Sequence, residues 1–295
     1  MNNQKIISFY ASAESQGLRT VSLAFANRLA EQDYSVLYVE LDDAIPAIAQ
    51  SLLIQTEEKN INSYLNQTVK GHFNDIQKYV LAKKDIIDNA ERKEKNKYSG
   101  LEEELSFLIY PMELTDKDVP NLVELFESNE ANGELTLEDY VVDYIERFTD
   151  ALKLLPYDFI VCKLPQDIDH VFTFEMMKHS HHVLSVTTPS VTRQMIHKKR
   201  KKFLFEQSKD LEGKWVNILN MASDEIPESD YRELLETDYI IPFDMERQQR
   251  ELSMESDSPL IRKSLERMIL DLGINIQLTM NEGQSMIKKL FNGRG

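Results

Sequence analysis

The chain lacks the cysteines that a disulfide framework would need. It has one cysteine among 295 residues, Cys162, which excludes an intrachain disulfide and is typical of a reducing compartment. It also lacks a hydrophobic run long enough to span a membrane. Its first residues, MNNQKII, carry no apolar segment of the kind found in secretory signal peptides. We therefore expect a cytoplasmic protein.

Positive charge is scarce. The chain has 34 lysines and arginines against 50 aspartates and glutamates, and its formal net charge is −16 at pH 7. This balance favours solubility and opposes nonspecific binding to nucleic acid, so nucleic acid is not expected as a partner of the chain as a whole. Hydrophobic residues make up 42% of the sequence, which is enough for a substantial core.

Seven short apolar stretches predict buried strands. They are apolar on both faces, as parallel strands covered by helices are. They cover residues 4–9, 35–41, 105–110, 158–164, 182–188, 215–220 and 238–243. Helical patterns fall between them, around residues 22–31, 141–154, 191–207 and 258–270. The alternation predicts an α/β fold with a doubly wound, mostly parallel sheet and helices on both faces.

The second and third predicted strands are far apart in the chain. Residues 56–104 contain no proline, and the stretch DIQKYVLAKKDIIDNAERKEKNK within them is charged and has a helical period. We predict a helical insertion there, with a solvated excursion as the alternative. The acidic residues 112–138 predict a second surface excursion. Because no linker rich in proline and glycine occurs, we predict one domain, 1–272, followed by a linker and short amphipathic tail, 273–295.

The loop between the first predicted strand and the first helix, ASAESQGLRT, lies where a phosphate-binding loop would lie. Such loops use glycines so that backbone N–H groups approach phosphate oxygens, a lysine for the β- and γ-phosphates, and a serine or threonine for Mg²⁺. This loop contains one glycine, Gly17, keeps Thr20, and has no lysine. Taken by itself, it favours an ordinary turn over a nucleotide site.

With the segments that follow it, the loop resembles the MinD/ParA family of deviant Walker A ATPases, and especially the TadZ/CpaE branch. The family loop G-K-G-G-V-G-K-T-T falls without gaps on residues 12–20, and SLAFANRLAEQDYSVLYVELD follows the family's helix and second strand. YDFIVCKLP resembles the Walker B strand Y-D-F-I-I-V-D-x-P, and WVNILNMAS and IIPFDMERQQ resemble later segments. The resemblance spans residues 4–271 and implies a P-loop NTPase-like fold.

Several loop positions depart from the family's pattern. The signature lysine, which reaches across a dimer, falls on Ala13, and the Walker lysine falls on Leu18. The threonine that binds Mg²⁺ falls on Arg19, whose fork differs from a lysine point charge. The resemblance implies a degenerate nucleotide loop made of Ser12, Ala13, Glu14, Ser15, Gly17, Leu18, Arg19 and Thr20.

Four further positions complete the degenerate site that the resemblance implies. The acids that end the family's second strand fall on Glu40 and Asp42, the Walker B acid falls on Lys163, and an asparagine that reads adenine falls on Asn220. An ammonium at position 163 would repel Mg²⁺, so we predict that it pairs with Glu40 or Asp42 instead. We expect no catalytic residue, no metal site and no Mg²⁺-dependent hydrolysis, and binding of ATP or ADP stays open.

The last residues combine apolar and cationic side chains. A polar spacer precedes QSMIKKLFNGRG, which contains no acid and resembles the membrane-targeting tail of MinD proteins. Apolar residues beside lysines suit a helix at the surface of an anionic membrane. The predicted membrane residues are Met286, Ile287, Lys288, Lys289, Leu290 and Phe291. The alternatives are a helix packed on the body and a disordered end.

These features predict a catalytically degenerate scaffold or positioning factor, peripheral on the inner face of the plasma membrane. The resemblance to TadZ/CpaE implies a partner in a pilus or secretion apparatus, such as its assembly ATPase. Because Ala13 removes the cross-subunit lysine, we predict a monomer or a nucleotide-independent homodimer. The alternatives are a divergent active ATPase, with Arg19 and Glu40 in altered roles, and a nucleic-acid-binding partition protein that uses the basic residues 193–202.

Overall fold

The computed structural model contains a central sheet of seven parallel strands in the order β3-β2-β4-β1-β5-β6-β7. The structure describes residues 4–44, 46–52, 58–69, 75–89, 98, 101–114, 120–128, 136–245 and 258–278. The strands are β1 (Lys5–Tyr10), β2 (Val36–Glu40), β3 (Leu105–Leu108), β4 (Phe159–Lys163), β5 (His182–Thr187), β6 (Trp215–Ala222) and β7 (Tyr239–Pro242).

Helices connect these strands and cover the sheet. They are α1 (Leu18–Ala30), α2 (Ala47–Leu52), α3 (Ile61–Val69), α4 (Lys83–Asn89), α5 (Leu122–Ser128), α6 (Leu137–Lys153), α7 (Val171–His179), α8 (Val191–Gln207), α9 (Glu228–Leu235) and α10 (Pro259–Asp271). The predicted α/β fold class is confirmed, and each predicted strand and helix is present with small shifts at its ends. No helix among the described residues is long and apolar enough to cross a membrane.

The strands bury both of their faces, because successive side chains point to opposite sides of a sheet. On β1, Ile6 and Tyr10 enter one core layer, whereas Ile7 and Phe9 enter the other. The first layer is completed by α3, α6 and α7, and the second by α1 and α10. This burial on both sides explains why the strands appear in the sequence as nearly continuous apolar runs.

The described part of the predicted insertion packs on the sheet. Ile61 of α3 and Ile86 of α4 are buried in opposite core layers. Leu81 forms an antiparallel bridge with Phe107 of β3, with N···O distances of 2.7 and 2.8 Å. Since β3 is the edge strand, this bridge covers backbone groups that would otherwise be open to another chain. The residues are helical as predicted, and they belong to the core.

A buried ion pair joins the two helices on one face of the sheet. Arg28 of α1 lies 2.6 Å from Glu266 of α10, and both side chains are buried. Arg28 also donates to the Gln277 carbonyl at 2.8 Å, and the Tyr34 hydroxyl donates to the Asn275 carbonyl at 2.7 Å. The chain after α10 is thereby attached to the end of α1 that is remote from the loop 11–17.

The imidazole of His197, on α8, is buried between two strands. Its Nε2 lies 3.2 Å from Asn217 Oδ1, and its Nδ1 lies 3.4 Å from Ser185 Oγ. Burial lowers the pKa of His197 to about 4, although the hydrogen bond to Asn217 opposes the shift. The folded protein therefore holds this side chain neutral at pH values where an exposed histidine is protonated.

We expect His197→Gln to reduce the acid sensitivity of folding. Between about pH 6.5 and pH 4 the unfolded chain binds a proton at His197 that the folded chain does not, so stability falls as pH falls, by about 3 kcal/mol across the interval. Urea unfolding of both proteins at several pH values measures this difference. His182→Gln is the control. Because His182 is only half-buried, its replacement should change the dependence of stability on pH less. Parallel profiles for wild type and His197→Gln would contradict the expectation.

Candidate functional site

The predicted site residues gather at the carboxyl edge of the sheet. The loop 11–17 follows β1, the central strand, and leads directly into α1. The helix begins after Gly17 with no side-chain cap and no acidic residue in its first turn. Because the helix dipole is positive at this end, the loop has the position and polarity of an anion site.

The loop is closed by its own hydrogen bonds. The buried amide of Asn220 donates to the Gln16 carbonyl at 2.8 Å, and the Gln16 side chain donates to the Ala13 carbonyl at 3.1 Å. Met221, with φ of 60°, interrupts the regular pairing of β6 with β7 next to Asn220. Asn220, expected from the resemblance to read adenine, is therefore bound to the loop itself.

Gly17 is required at its position for two reasons. Its φ of 76° is in the left-handed region, where a side chain costs energy. A Cβ atom there would also overlap the amide nitrogen of Asn220. The single glycine of the loop thus permits the close approach of β6, a role that needs no phosphate.

Lys163 forms an ion cluster with the two acids that end β2. Glu40 and Lys163 are partners in the parallel register of β2 and β4. The Lys163 ammonium lies 2.7 Å from Asp42 Oδ2 and 3.3 Å from Glu40 Oε1, the latter an ion-pair contact without hydrogen-bond geometry. Glu40 Oε2 accepts a hydrogen bond from the Ile48 amide at 3.1 Å. This is the pairing that the sequence predicted.

The cluster is shielded from water. Glu40 is fully buried, and the side chain of Lys163 is 6% exposed. Burial raises the pKa of the Glu40 carboxyl, and the ammonium of Lys163 opposes that shift. A second pair lies beside the cluster, where His170 Nε2 is 3.3 Å from Asp43 Oδ1. Burial would raise the pKa of Asp43, but the hydrogen bond and charge of His170 outweigh it and lower the pKa.

The arginines around the loop are bonded to the protein. Arg19 donates to Ser51 Oγ of α2 at 2.9 Å. Arg193 of α8 donates to the Ser15 carbonyl at 3.2 Å, so α8 is attached directly to the loop. Leu18, which the resemblance places at the position of the Walker lysine, packs against the core layer of α1.

These residues do not fit Mg-ATP bound in the manner of a phosphate loop. The loop offers no ammonium group, and the exposed Glu14 would repel phosphate. The ammonium of Lys163 lies with Glu40 and Asp42, where an Mg²⁺ ion held by those acids would meet a like charge. In the described part of the chain, no group of three or more histidines, cysteines or acids could hold a metal ion.

Three participants in the site could not be predicted from the sequence. Gln16 closes the loop, Arg193 ties α8 to it, and His170 pairs with Asp43. Each acts through a contact between segments that are distant in the chain or through local loop geometry, and no motif marks them. The predicted membrane residues 286–291 lie outside the described residues.

The structure was compared with known proteins. No family model matches the chain, and no curated protein is significantly similar to it in sequence. A ParA family ATPase from Chlorobium tepidum is 18% identical, with 90% of this chain and 99% of that chain covered and a TM-score of 0.55. A chain of the MinC:MinD cell division protein complex of Aquifex aeolicus is 14% identical, with 94% of this chain and 98% of that chain covered and a TM-score of 0.58.

The septum site-determining protein MinD from Pyrococcus horikoshii, complexed with Mg-ADP, is 14% identical. The match covers 91% of this chain and 96% of that chain, with a TM-score of 0.60. These similarities extend over nearly the whole of each chain. They establish that this protein has the P-loop NTPase fold of the MinD and ParA ATPases, as the sequence resemblance implied. At such low identity they establish the fold alone.

We expect Lys163→Met to destabilise the protein by about 3 to 5 kcal/mol at neutral pH, because it leaves the Glu40 charge buried without its partner. The pKa of Glu40 should rise further, so the loss should shrink as pH falls and the carboxyl binds a proton. Urea unfolding at pH 7.5 and pH 5 measures both effects.

Lys153→Met is the matched control. Lys153 pairs with Asp150 at 3.0 Å, but both side chains are largely exposed, so the loss should stay below about 1 kcal/mol. The double variant Lys163→Met, Glu40→Gln should recover part of the stability. A loss of stability by Lys163→Met that does not exceed that of the control would show that the cluster carries little energy.

Gly17→Ala should be more destabilising than Gly273→Ala. Both residues have positive φ, which costs an alanine about 1 kcal/mol, but only at Gly17 does the new methyl group overlap a neighbour. Gly213→Ala, with neither feature, should be nearly neutral. The double variant Gly17→Ala, Asn220→Ala tests the overlap. Because Asn220→Ala removes the amide that the new methyl group would meet, the double variant should lose less stability than the sum of the two single variants. Additive losses would contradict the packing argument.

Proposed function

We propose that this protein is a catalytically degenerate relative of the MinD and ParA ATPases that acts as a scaffold or positioning factor. The observation that carries the proposal is the ammonium of Lys163 between Glu40 and Asp42, at 3.3 and 2.7 Å. This ammonium gives both acids a cationic partner inside the protein, and an Mg²⁺ ion held by the same acids would meet a like charge. The closed loop supports the same conclusion, since Asn220 already has a partner in Gln16.

The named roles of the structural neighbours support positioning rather than metabolism. One neighbour is described as a septum site-determining protein, one as a ParA family ATPase, and one as a MinD bound to its partner MinC. A protein with this fold and a degenerate site would keep the surfaces of such a scaffold and lose the nucleotide cycle. Function would then depend on other proteins bound to its surface.

The finer parts of the proposal rest on the sequence resemblance. A TadZ/CpaE-like role implies a pilus or secretion apparatus and a partner such as its assembly ATPase. The tail residues 286–291 would hold the protein on the inner face of the plasma membrane. Because Ala13 replaces the lysine that reaches across a dimer, self-association would be independent of nucleotide.

Two alternative functions receive less support. A divergent ATPase would need Arg19 and Glu40 to be available to a ligand, yet Arg19 bonds Ser51 and Glu40 bonds Ile48. A nucleic-acid-binding partition protein would use residues 193–202. Both arginines of this stretch already bond the protein, since Arg193 donates to the Ser15 carbonyl of the loop at 3.2 Å and Arg200 donates to the Gln166 carbonyl at 2.8 Å.

Calorimetry with Mg-ATP and with ADP, together with an assay of phosphate release, tests the proposal. We expect the wild-type protein to release no phosphate in a Mg²⁺-dependent manner. The double variant Leu18→Lys, Lys163→Asp restores the two family charges and serves as the comparison for binding.

Mg²⁺-dependent phosphate release by the wild type, reduced in Arg19→Ala, would overturn the proposal in favour of the divergent ATPase. ATP binding without release would make the protein a nucleotide-sensing scaffold. No binding at millimolar concentration would place the function wholly in its surfaces.

A further inference from the structure

The outer face of α8 carries apolar and cationic side chains that nothing in the described structure covers. The helix is held to the body by Gln194, His197 and Leu204, which are buried. Its opposite side forms what we call the α8 face. The α8 face consists of Val191, Met195, Ile196, Lys199, Lys202 and Phe203.

The apolar part of the α8 face is substantial. Val191 is 75% exposed, Met195 is 69% exposed and Phe203 is 48% exposed. Val191 and Met195 are four residues apart, so they lie side by side on one helix surface, and Phe203 follows two turns further on. Single exposed apolar residues are common, but several on one helix face mark a surface that other molecules contact.

The cationic part of the face is free to act outward. Among the described residues, Lys199 makes no ion pair, and Lys202 meets Glu206 at 3.8 Å with both side chains mostly exposed. An exposed pair of this kind contributes little energy, so a partner's carboxylate can replace it at small cost. On a protein with a net charge of −16, this is a local concentration of positive charge.

We propose that the α8 face binds an acidic amphipathic helix of a protein partner. A helix with apolar residues at spacings of three and four would cover Val191, Met195 and Phe203, and its flanking glutamates or aspartates would meet Lys199 and Lys202. Charge complementarity would set the choice of partner, and the apolar contacts would supply most of the affinity.

The acids near the face favour a narrow partner. Glu236 lies 3.8 Å from Lys198 and Glu206 lies beside Lys202, so carboxylates border the patch. A bilayer surface or a nucleic-acid duplex is broader than a single helix and carries phosphates that these acids would repel.

This inference rests on the proposed scaffold function, because it names the surface and the chemistry by which the scaffold would hold a partner. It also connects the partner to the degenerate site. Arg193, within the first turn of α8, donates to the Ser15 carbonyl of the loop at 3.2 Å. A partner bound to α8 would therefore contact the element that fixes the loop.

A designed peptide tests the proposal. The probe is a fluorescent three-heptad helix with leucine at positions a and d and glutamate at e and g, where the glutamates oppose pairing with itself. Anisotropy is measured with the full chain in the absence of nucleotide. We expect saturable binding, weakened about tenfold by Met195→Glu and by Lys199→Glu.

Matched controls carry the same changes elsewhere on the surface. Leu154→Glu alters a leucine that is 86% exposed at the end of α6, and Lys263→Glu alters an exposed lysine of α10. Both variants should bind the peptide as the wild type does. A control peptide in which lysine replaces every glutamate should not bind the wild-type protein. Equal urea midpoints for all variants show that each is folded.

Three outcomes would overturn the proposal: no binding of the acidic peptide, equal weakening by the control variants, or equal binding of the lysine peptide. Anionic vesicles or a DNA duplex that bind the wild type and lose affinity in Met195→Glu and Lys199→Glu, while the peptide does not bind, would assign the face to lipid or nucleic acid. The nucleotide experiments use no α8 variant, so either proposal can fail without the other.

Discussion

The ion cluster at the carboxyl edge of the sheet is the constraint on which the site depends. Burying the Glu40 carboxylate costs several kcal/mol unless a partner of opposite charge lies close by. The parallel register of β2 and β4 places Lys163 directly beside it, and Asp42 completes the cluster at 2.7 Å. The ends of β2 and β4 are therefore joined by charge as well as by their backbone pairing.

The loop after β1 is also stabilised by contacts within the protein. Its carbonyl groups are bonded by the protein's own side chains, from Asn220, Gln16 and Arg193. In a working phosphate loop the ligand meets backbone N–H groups and a lysine, whereas here the closed loop is held by hydrogen bonds to its carbonyls. The loop and the ion cluster are together the basis of our proposal that the nucleotide site of this fold is degenerate here.

In the proposed scaffold, function depends on the surfaces of the protein. α8 has its inner side committed to the core through His197 and Leu204 and to the loop through Arg193, while its outer side presents Met195 and Lys199. One helix thus joins the loop 11–17 to the exposed surface that we propose as the site of a protein partner.

The sequence by itself determined the seven strands, because strands buried on both faces must be apolar throughout. The alternation of these strands with helices also determined the doubly wound α/β fold class. It also indicated that Lys163 needs Glu40 or Asp42, since a buried charge requires a partner. The tertiary structure decided the rest: both acids share the ammonium, Gln16 and Asn220 close the loop, and Leu81 of the insertion covers the β3 edge. Most of these contacts join residues that are far apart in the chain, and the local sequence pattern does not show which distant residues meet in the fold.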